Sequence, residues 1–168
     1  MIWFFLPAFN EEKIIVETIR SVLNILDRIS GAEYRVVVAD NGSTDATASL
    51  AKTIDNISVI STPMRGKGAA IVAAAQSSSA DIFGFIDADL SADASDILKL
   101  LEPLMHNTCD IAIGSRLVDT SMVTREWLRT FLSKLFNTLR EKILEIPVQD
   151  TQCGLKLMNT RGKDILTH

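Results

Sequence analysis

The 168 residues, 47% hydrophobic and 23% charged, suit one globular domain with a core of its own. A net charge of −4 lacks the basic footprint of a nucleic-acid binder, and no apolar run approaches the ~20 residues of a membrane-crossing helix. Cys109 and Cys153 are too few and too far apart for a disulfide framework or a zinc site, so a reducing, cytoplasmic setting is expected.

The apolar opening has no basic leader, and residues 2–6 read as a buried first strand rather than a signal peptide. Asn10 is placed to cap a first helix, with Glu11 and Glu12 near its positive end. Ile15, Ile19, Val22, Leu23, Leu26 and Ile29 recur at helical spacing and supply the face that lies on a sheet. Residues 36–39 form a second strand that runs into Asp40-Asn41-Gly42-Ser43-Thr44-Asp45, and residues 44–54 read as the next helix. A third strand at 57–61 leads to Gly66-Lys67-Gly68, which opens an alanine-rich helix to about Ser77. The fourth strand, 82–86, ends at Asp87-Ala88-Asp89, and a helix starting at Asp93 or Ser95 runs through Leu104. The fifth strand, 111–113, ends at Gly114-Ser115-Arg116. An amphipathic stretch over 125–143 and a polar segment over 150–156 follow.

This alternation predicts an α/β chain with a mostly parallel central sheet flanked by helices. Strands one, two, four and five each end in a polar or glycine-bearing cluster. Parallel strands bring those ends to one edge, where open α/β sheets bind ligands.

Asp87-Ala88-Asp89 carries the sharpest chemistry. Two carboxylates one residue apart at a strand end repel unless a positive group compensates them. Mg²⁺ or Mn²⁺ fits, since either takes one or two carboxylates and completes its shell with water and substrate phosphates. Two solvated loop aspartates are the plainer alternative. Asp40 is positioned to accept a hydrogen bond from a nucleotide base, and Gly42 permits a tight turn, while Ser43 or Thr44 would equally serve as a helix cap. Asp45 reads as charge at the helix start. The backbone after Arg65-Gly66 and the Lys67 charge suit a phosphate, or the glycines simply make a turn; the P-loop spacing is absent. Among the basic residues of the second half, Arg116 at a strand end suits phosphate better than Arg125 on a helix face. His106 and His168 have no suitably spaced partner.

Taken in order, Leu6-Pro7-Ala8-Phe9-Asn10-Glu11-Glu12, Val38-Ala39-Asp40-Asn41-Gly42-Ser43-Thr44-Asp45 and Asp87-Ala88-Asp89 resemble the family 2 glycosyltransferases and their Rossmann-like GT-A fold. With Arg65-Gly66-Lys67-Gly68, Gly114-Ser115-Arg116 and Asp150-Thr151-Gln152-Cys153-Gly154-Leu155-Lys156, the set is similar to the polyprenyl-phosphate branch of dolichyl-phosphate glucosyl- and mannosyltransferases. Asn41 departs from the second Asp found in many members. The resemblance implies that Pro7, Ala8, Asn10, Glu12, Asp40, Gly42, Lys67, Asp87, Ala88, Gln152 and Lys156 bind a nucleotide-sugar, UDP-glucose or GDP-mannose. It implies a Mg²⁺ or Mn²⁺ ion at Asp87, Asp89 and Ser91. The acceptor phosphate would be held by Arg116, Arg129, Ser133 and Lys134, and Asp89, Arg116, Arg129 and Asp150 would be catalytic.

The implied reaction is inverting displacement at the anomeric carbon by a lipid phosphate, which is anionic near neutral pH and needs no strong base. Cation and arginines would stabilise the charge that develops. The resemblance further implies a single catalytic domain over 1–168, truncated at its C-terminus, with peripheral contact to the cytoplasmic face of a membrane. The alternatives are a family 2 transferase acting on a saccharide hydroxyl, with Asp150 as base, and a non-catalytic nucleotide-sugar-binding fragment. A nucleotidyltransferase would need the glycine-rich N-terminal loop that Pro7-Ala8-Phe9-Asn10 replaces.

Overall fold

Hydrophobic alternation along the strands decides the layering. A computed structural model describes residues 1–61, 66–89, 92–115 and 153–167. In chain order the elements are β1 (Ile2–Ala8), α1 (Ile15–Leu26), β2 (Tyr34–Asp40), α2 (Thr47–Ala51), β3 (Ile57–Ser61), α3 (Lys67–Ser77), β4 (Ile82–Phe85), α4 (Asp96–Met105), β5 (Ile111–Ile113), β6 (Lys156–Asn159) and α5 (Thr160–Thr167). The strands form one sheet in the order β3-β2-β1-β4-β6-β5.

Side chains alternate between the faces of a strand, and both faces here are apolar. Phe4, Leu6, Val36, Val38, Ile82 and Leu157 face one core with the buried side of α1 and α4. Phe5, Val37, Ala39, Phe83, Phe85 and Met158 face the other, where Ile71 and Ala75 of α3 pack. The buried residues of α1 are Ile15, Thr18, Ile19, Val22 and Leu26, so its predicted apolar face is the one laid down. Thr18 is the polar exception within it.

β1 pairs in parallel with β2 and β4, and β2 with β3. The polar segment predicted around Lys156 continues instead into a strand. β6 runs antiparallel between β4 and β5, with Phe85 opposite Lys156 and Ile113 opposite Lys156 on the other side. Two antiparallel steps return β5 to the direction of β4, so the ends of β1, β2, β4 and β5 share one rim. Because β6 runs the other way, its beginning reaches that rim.

Two predicted helix starts are corrected. Asn10 does not cap α1, which begins at Ile15 after Ile14 with no side-chain cap. The second helix is confined to Thr47–Ala51, not 44–54, because residues 41–46 are held as a loop by the chain after β1. The predicted helix over 125–143 lies outside the described residues. Among the described residues no helix is long and apolar enough to cross a membrane.

Leu157 is fully buried between β4 and α4. Leu157→Ala is expected to lower unfolding free energy by about 2–5 kcal/mol, the range for an unrefilled core cavity. Urea unfolding checks this; a loss within a few tenths of a kcal/mol would mean β6 is not part of the core.

Candidate functional site

The rim cleft arises where three strand ends meet the start of α3. It has a volume of about 230 Å³ and is lined by Pro7, Ala8, Phe9 and Glu11 after β1, and by Ala39 and Asn41 around the end of β2. Lys67 and Ala70 of α3 and Asp87, Ala88 and Asp89 after β4 complete it. Of the residues expected to bind the nucleotide-sugar, the structure therefore brings Pro7, Ala8, Lys67, Asp87 and Ala88 together, with Asp89 beside them.

The first wall is fixed by a loop-to-loop lock. Asn10 takes a left-handed conformation with φ 56°, which asparagine tolerates better than most residues. Its N–H donates to Ser43 Oγ at 2.9 Å, and its Oδ1 accepts the Thr44 N–H at 2.8 Å. Glu11 N–H donates to Thr47 Oγ1 at 2.7 Å and Glu12 N–H to Asp45 Oδ2 at 3.2 Å. In return Ala46 N–H donates to Glu12 Oε2 at 3.1 Å. Asn10 and Glu12 thus bond to the loop before α2, and the cleft wall at this point is Phe9 and Glu11. Thr47 N–H donates to Asp45 Oδ1 at 2.9 Å, so Asp45, rather than Ser43 or Thr44, satisfies the first N–H of α2, and Glu12 that of Ala46 just before it.

Asp40 is buried and accepts the Ser43 N–H at 3.2 Å, which closes the turn after β2. Gly42, with φ 80°, supplies the turn that a side chain would strain. Lys156 sits where β6 meets the rim. Its Nζ donates to Cys153 O at 2.6 Å and lies 5.4 Å from the Phe85 ring centroid. Ser91, Arg116, Arg129, Ser133, Lys134, Asp150 and Gln152 lie outside the described residues, as do Arg65 and Arg125.

Negative charge dominates the floor. Burial and then the charges of Asp89, Asp45 and Asp87 hold the Glu11 carboxyl above the ordinary glutamate range. One cation answers it directly, since the Lys67 ammonium forms an ion pair with Asp87 Oδ1. The donor atoms are hard carboxylate oxygens in an anionic setting, which fits Mg²⁺ or Mn²⁺. Among the described residues no three His, Cys, Asp or Glu side chains form a closed cage. An ion held by Asp87 and Asp89 would keep positions for substrate phosphate.

The carboxylate loop is anchored from below. Thr18, fully buried on α1, donates from Oγ1 to Ala88 O at 2.6 Å, pinning the residue between the two aspartates. Residue type and spacing alone do not mark Thr18, Phe9, Glu11 and Asn41 as site residues. The signal for Thr18 was a hydroxyl on an otherwise apolar helix face.

Thr18→Val keeps the shape but leaves the buried Ala88 carbonyl without this donor. A stability loss of about 1–3 kcal/mol is expected from chemical denaturation. For Glu11, a raised folded-state pKa means that ionisation costs stability at all pH values above it, and the cost fades as pH falls through it. Glu11→Gln should therefore raise the melting temperature of the metal-free protein near neutral pH. The difference should close as pH falls toward the ordinary glutamate range, which thermal melts across pH will show.

The model of the family described as "Glycosyl transferase family 2" matches residues 3–162. Glycosyltransferase AglD of Haloferax volcanii is 29% identical over 167 residues, covering 96% of this chain and 27% of its own length. Dolichyl-phosphate beta-glucosyltransferase of Mus musculus is 33% identical over 171 residues, covering 90% of this chain and 52% of its own. The chain thus spans about a quarter to a half of these curated relatives. Among solved structures, Mycobacterium tuberculosis glucosyl-3-phosphoglycerate synthase, in complex with Mn²⁺, UDP-glucose and phosphoglyceric acid, superposes with a TM-score of 0.69. It is 27% identical, with 95% of this chain and 56% of that one covered. The sheet is accordingly that of the GT-A fold, and the family match takes in every strand that reaches the rim: the chain belongs to glycosyl transferase family 2.

Proposed function

We propose that this chain is the catalytic domain of an inverting, metal-dependent hexosyltransferase that takes glucose from UDP-glucose and passes it to a polyprenyl or dolichyl phosphate. The observation that carries the reading is the cleft that Asp87, paired with Lys67, and Asp89 share with the Pro7–Phe9 wall. The relatives named for dolichyl-phosphate glucosylation favour the lipid acceptor, and the solved neighbour's Mn²⁺ and UDP-glucose favour that donor over GDP-mannose.

Each lining group has work in such a reaction. Phe9, 55% exposed at the cleft, offers an apolar face to a nucleotide base, and Asn41 an amide near it. Asp87 and Asp89 would hold Mg²⁺ or Mn²⁺, which supplies positive charge to a departing diphosphate. Lys67 adds a charge from the α3 side, and the backbone after Gly66 begins that helix, an end suited to anions. A lipid phosphate arrives ionised, so positioning and charge would carry the transfer without a strong base. Arg116, Arg129, Ser133 and Lys134 remain the proposed acceptor side, with Asp150, Gln152 and Lys156 closing the donor side. Contact with the cytoplasmic face of a membrane would be peripheral.

The solved neighbour favours a second acceptor, a small phosphorylated hydroxyl acid such as phosphoglyceric acid. Calorimetric titration with UDP-glucose and GDP-mannose, with Mn²⁺ and then chelator, tests the donor half. Mn²⁺-dependent UDP-glucose binding is expected, weakened about tenfold or more by Asp89→Ala, equivalent to at least ~1.4 kcal/mol. Equal binding with and without chelator would remove the metal from the account. Offering dolichyl phosphate and 3-phosphoglycerate with labelled UDP-glucose then separates the acceptors; label in the lipid phase is expected, and label only in phosphoglycerate would favour the second reading.

A further inference from the structure

Gly154 lies in the short approach to β6, with its Cα directly against Asp87. A Cβ built on it would overlap the Asp87 carboxylate outright and come within 2.9 Å of Asp87 Cβ. Backbone conformation does not demand glycine there: the positive-φ glycines are Gly31, Gly42 and Gly66, and Gly154 is not among them. Space is what the position supplies.

The backbone that offers this space is held on both sides. Cys153 and Leu155 are fully buried. Lys156 Nζ donates to Cys153 O at 2.6 Å, and Gly114 N–H donates to Leu155 O at 2.9 Å. Gly114 is itself close-packed here, since a Cβ on it would lie 3.0 Å from Cys153 Sγ. The segment therefore cannot easily retreat from a side chain at 154. Asp87 would have to move instead. Its carboxylate is held by Lys67 at Oδ1 and has Oδ2 against the bare Cα of Gly154.

We propose that Gly154 is a positioning residue for the cation site, seating the Asp87 carboxylate in the rotamer that lets it share an ion with Asp89. This rests on the reading of Asp87 as a cation ligand. It gives the approach to β6 a role at the opposite side of the cleft from the nucleotide wall. Any side chain at 154 would turn Asp87 away from the common focus while leaving its charge in place.

The test uses Gly154→Ala, Asp87→Ala, their combination, and Gly84→Ala as a control. Gly84 lies in the same strand as the approach to Asp87, but its added Cβ would press on the Phe4 ring at 2.8 Å rather than on the carboxylate. Two quantities are measured: the urea midpoint without metal, and the Mn²⁺ concentration that half-saturates UDP-glucose binding. Gly154→Ala should lower the midpoint, and most of that loss should disappear in the Asp87→Ala background, where the carboxylate overlap is gone and a shift of about a few tenths of an ångström relieves the remaining 2.9 Å contact with the Cβ at 87. It should also raise the half-saturating Mn²⁺ by about tenfold or more, the scale on which disturbed supporting groups weaken a metal site. Gly84→Ala should lose stability with its Mn²⁺ requirement unchanged. If Gly154→Ala fails to fold, the double variant should fold. The same stability loss in both backgrounds, no recovery of folding in the double variant, or an unmoved Mn²⁺ requirement would overturn the seat. If the unmodified protein takes up neither Mn²⁺ nor UDP-glucose, the functional reading fails, and the metal-free stability cycle still decides whether Asp87 rests on Gly154.

Discussion

Carboxylates crowd the floor of this cleft, and their mutual repulsion sets the terms for everything around them. Burial first, and then the charges of Asp89, Asp45 and Asp87, hold the Glu11 carboxyl above the usual glutamate range. Such a cluster is tolerable in a fold only where positive charge is near or arrives with a ligand. Lys67 supplies one such charge to Asp87. A divalent cation carrying phosphate oxygens would supply more. Burial alone would raise the Asp45 pKa, yet the Thr47 hydroxyl, its N–H and the Glu12 N–H together keep it below the ordinary aspartate range. Asp45 is thereby committed to the loop as an anion, and Glu11, Asp87 and Asp89 line the cleft.

Topology explains why these groups meet. Three parallel strands, β1, β2 and β4, deliver Pro7–Glu11, Ala39–Asn41 and Asp87–Asp89 to one rim. The antiparallel β6 brings its own beginning to the same rim, beside Phe85. Residues far apart in the chain thereby act on one carboxylate: Thr18 through the Ala88 carbonyl, Lys67 through charge, and Gly154 through the room it leaves.

β1, β2 and β4 were legible because each is a short apolar run buried on both faces, a pattern carried by neighbouring residues. Asp87-Ala88-Asp89 was legible for a related reason, as charge stranded at the end of such a run. The second helix was misread because the pattern of 44–54 is locally helical, whereas its start is decided by Asn10 and Glu12, more than 30 residues earlier. Those two residues, expected at the nucleotide pocket, are bonded to the loop before α2. The left-handed turn at Asn10 is accompanied by Phe9 and Glu11 on the cleft wall, a consequence of backbone direction that residue type does not announce. β6 escaped notice because four residues, Lys156–Asn159, make a strand only when β4 and β5 are present to pair with them.

The most direct test of a shared cation and nucleotide site is a crystal structure of the protein soaked with Mn²⁺ and UDP, with anomalous scattering used to locate the metal. The account predicts one Mn²⁺ contacting Asp87 and Asp89, the diphosphate between that ion and Lys67, and the base along the wall made by Pro7, Ala8 and Phe9. A nucleotide bound elsewhere, or a metal that touches neither aspartate, would contradict it.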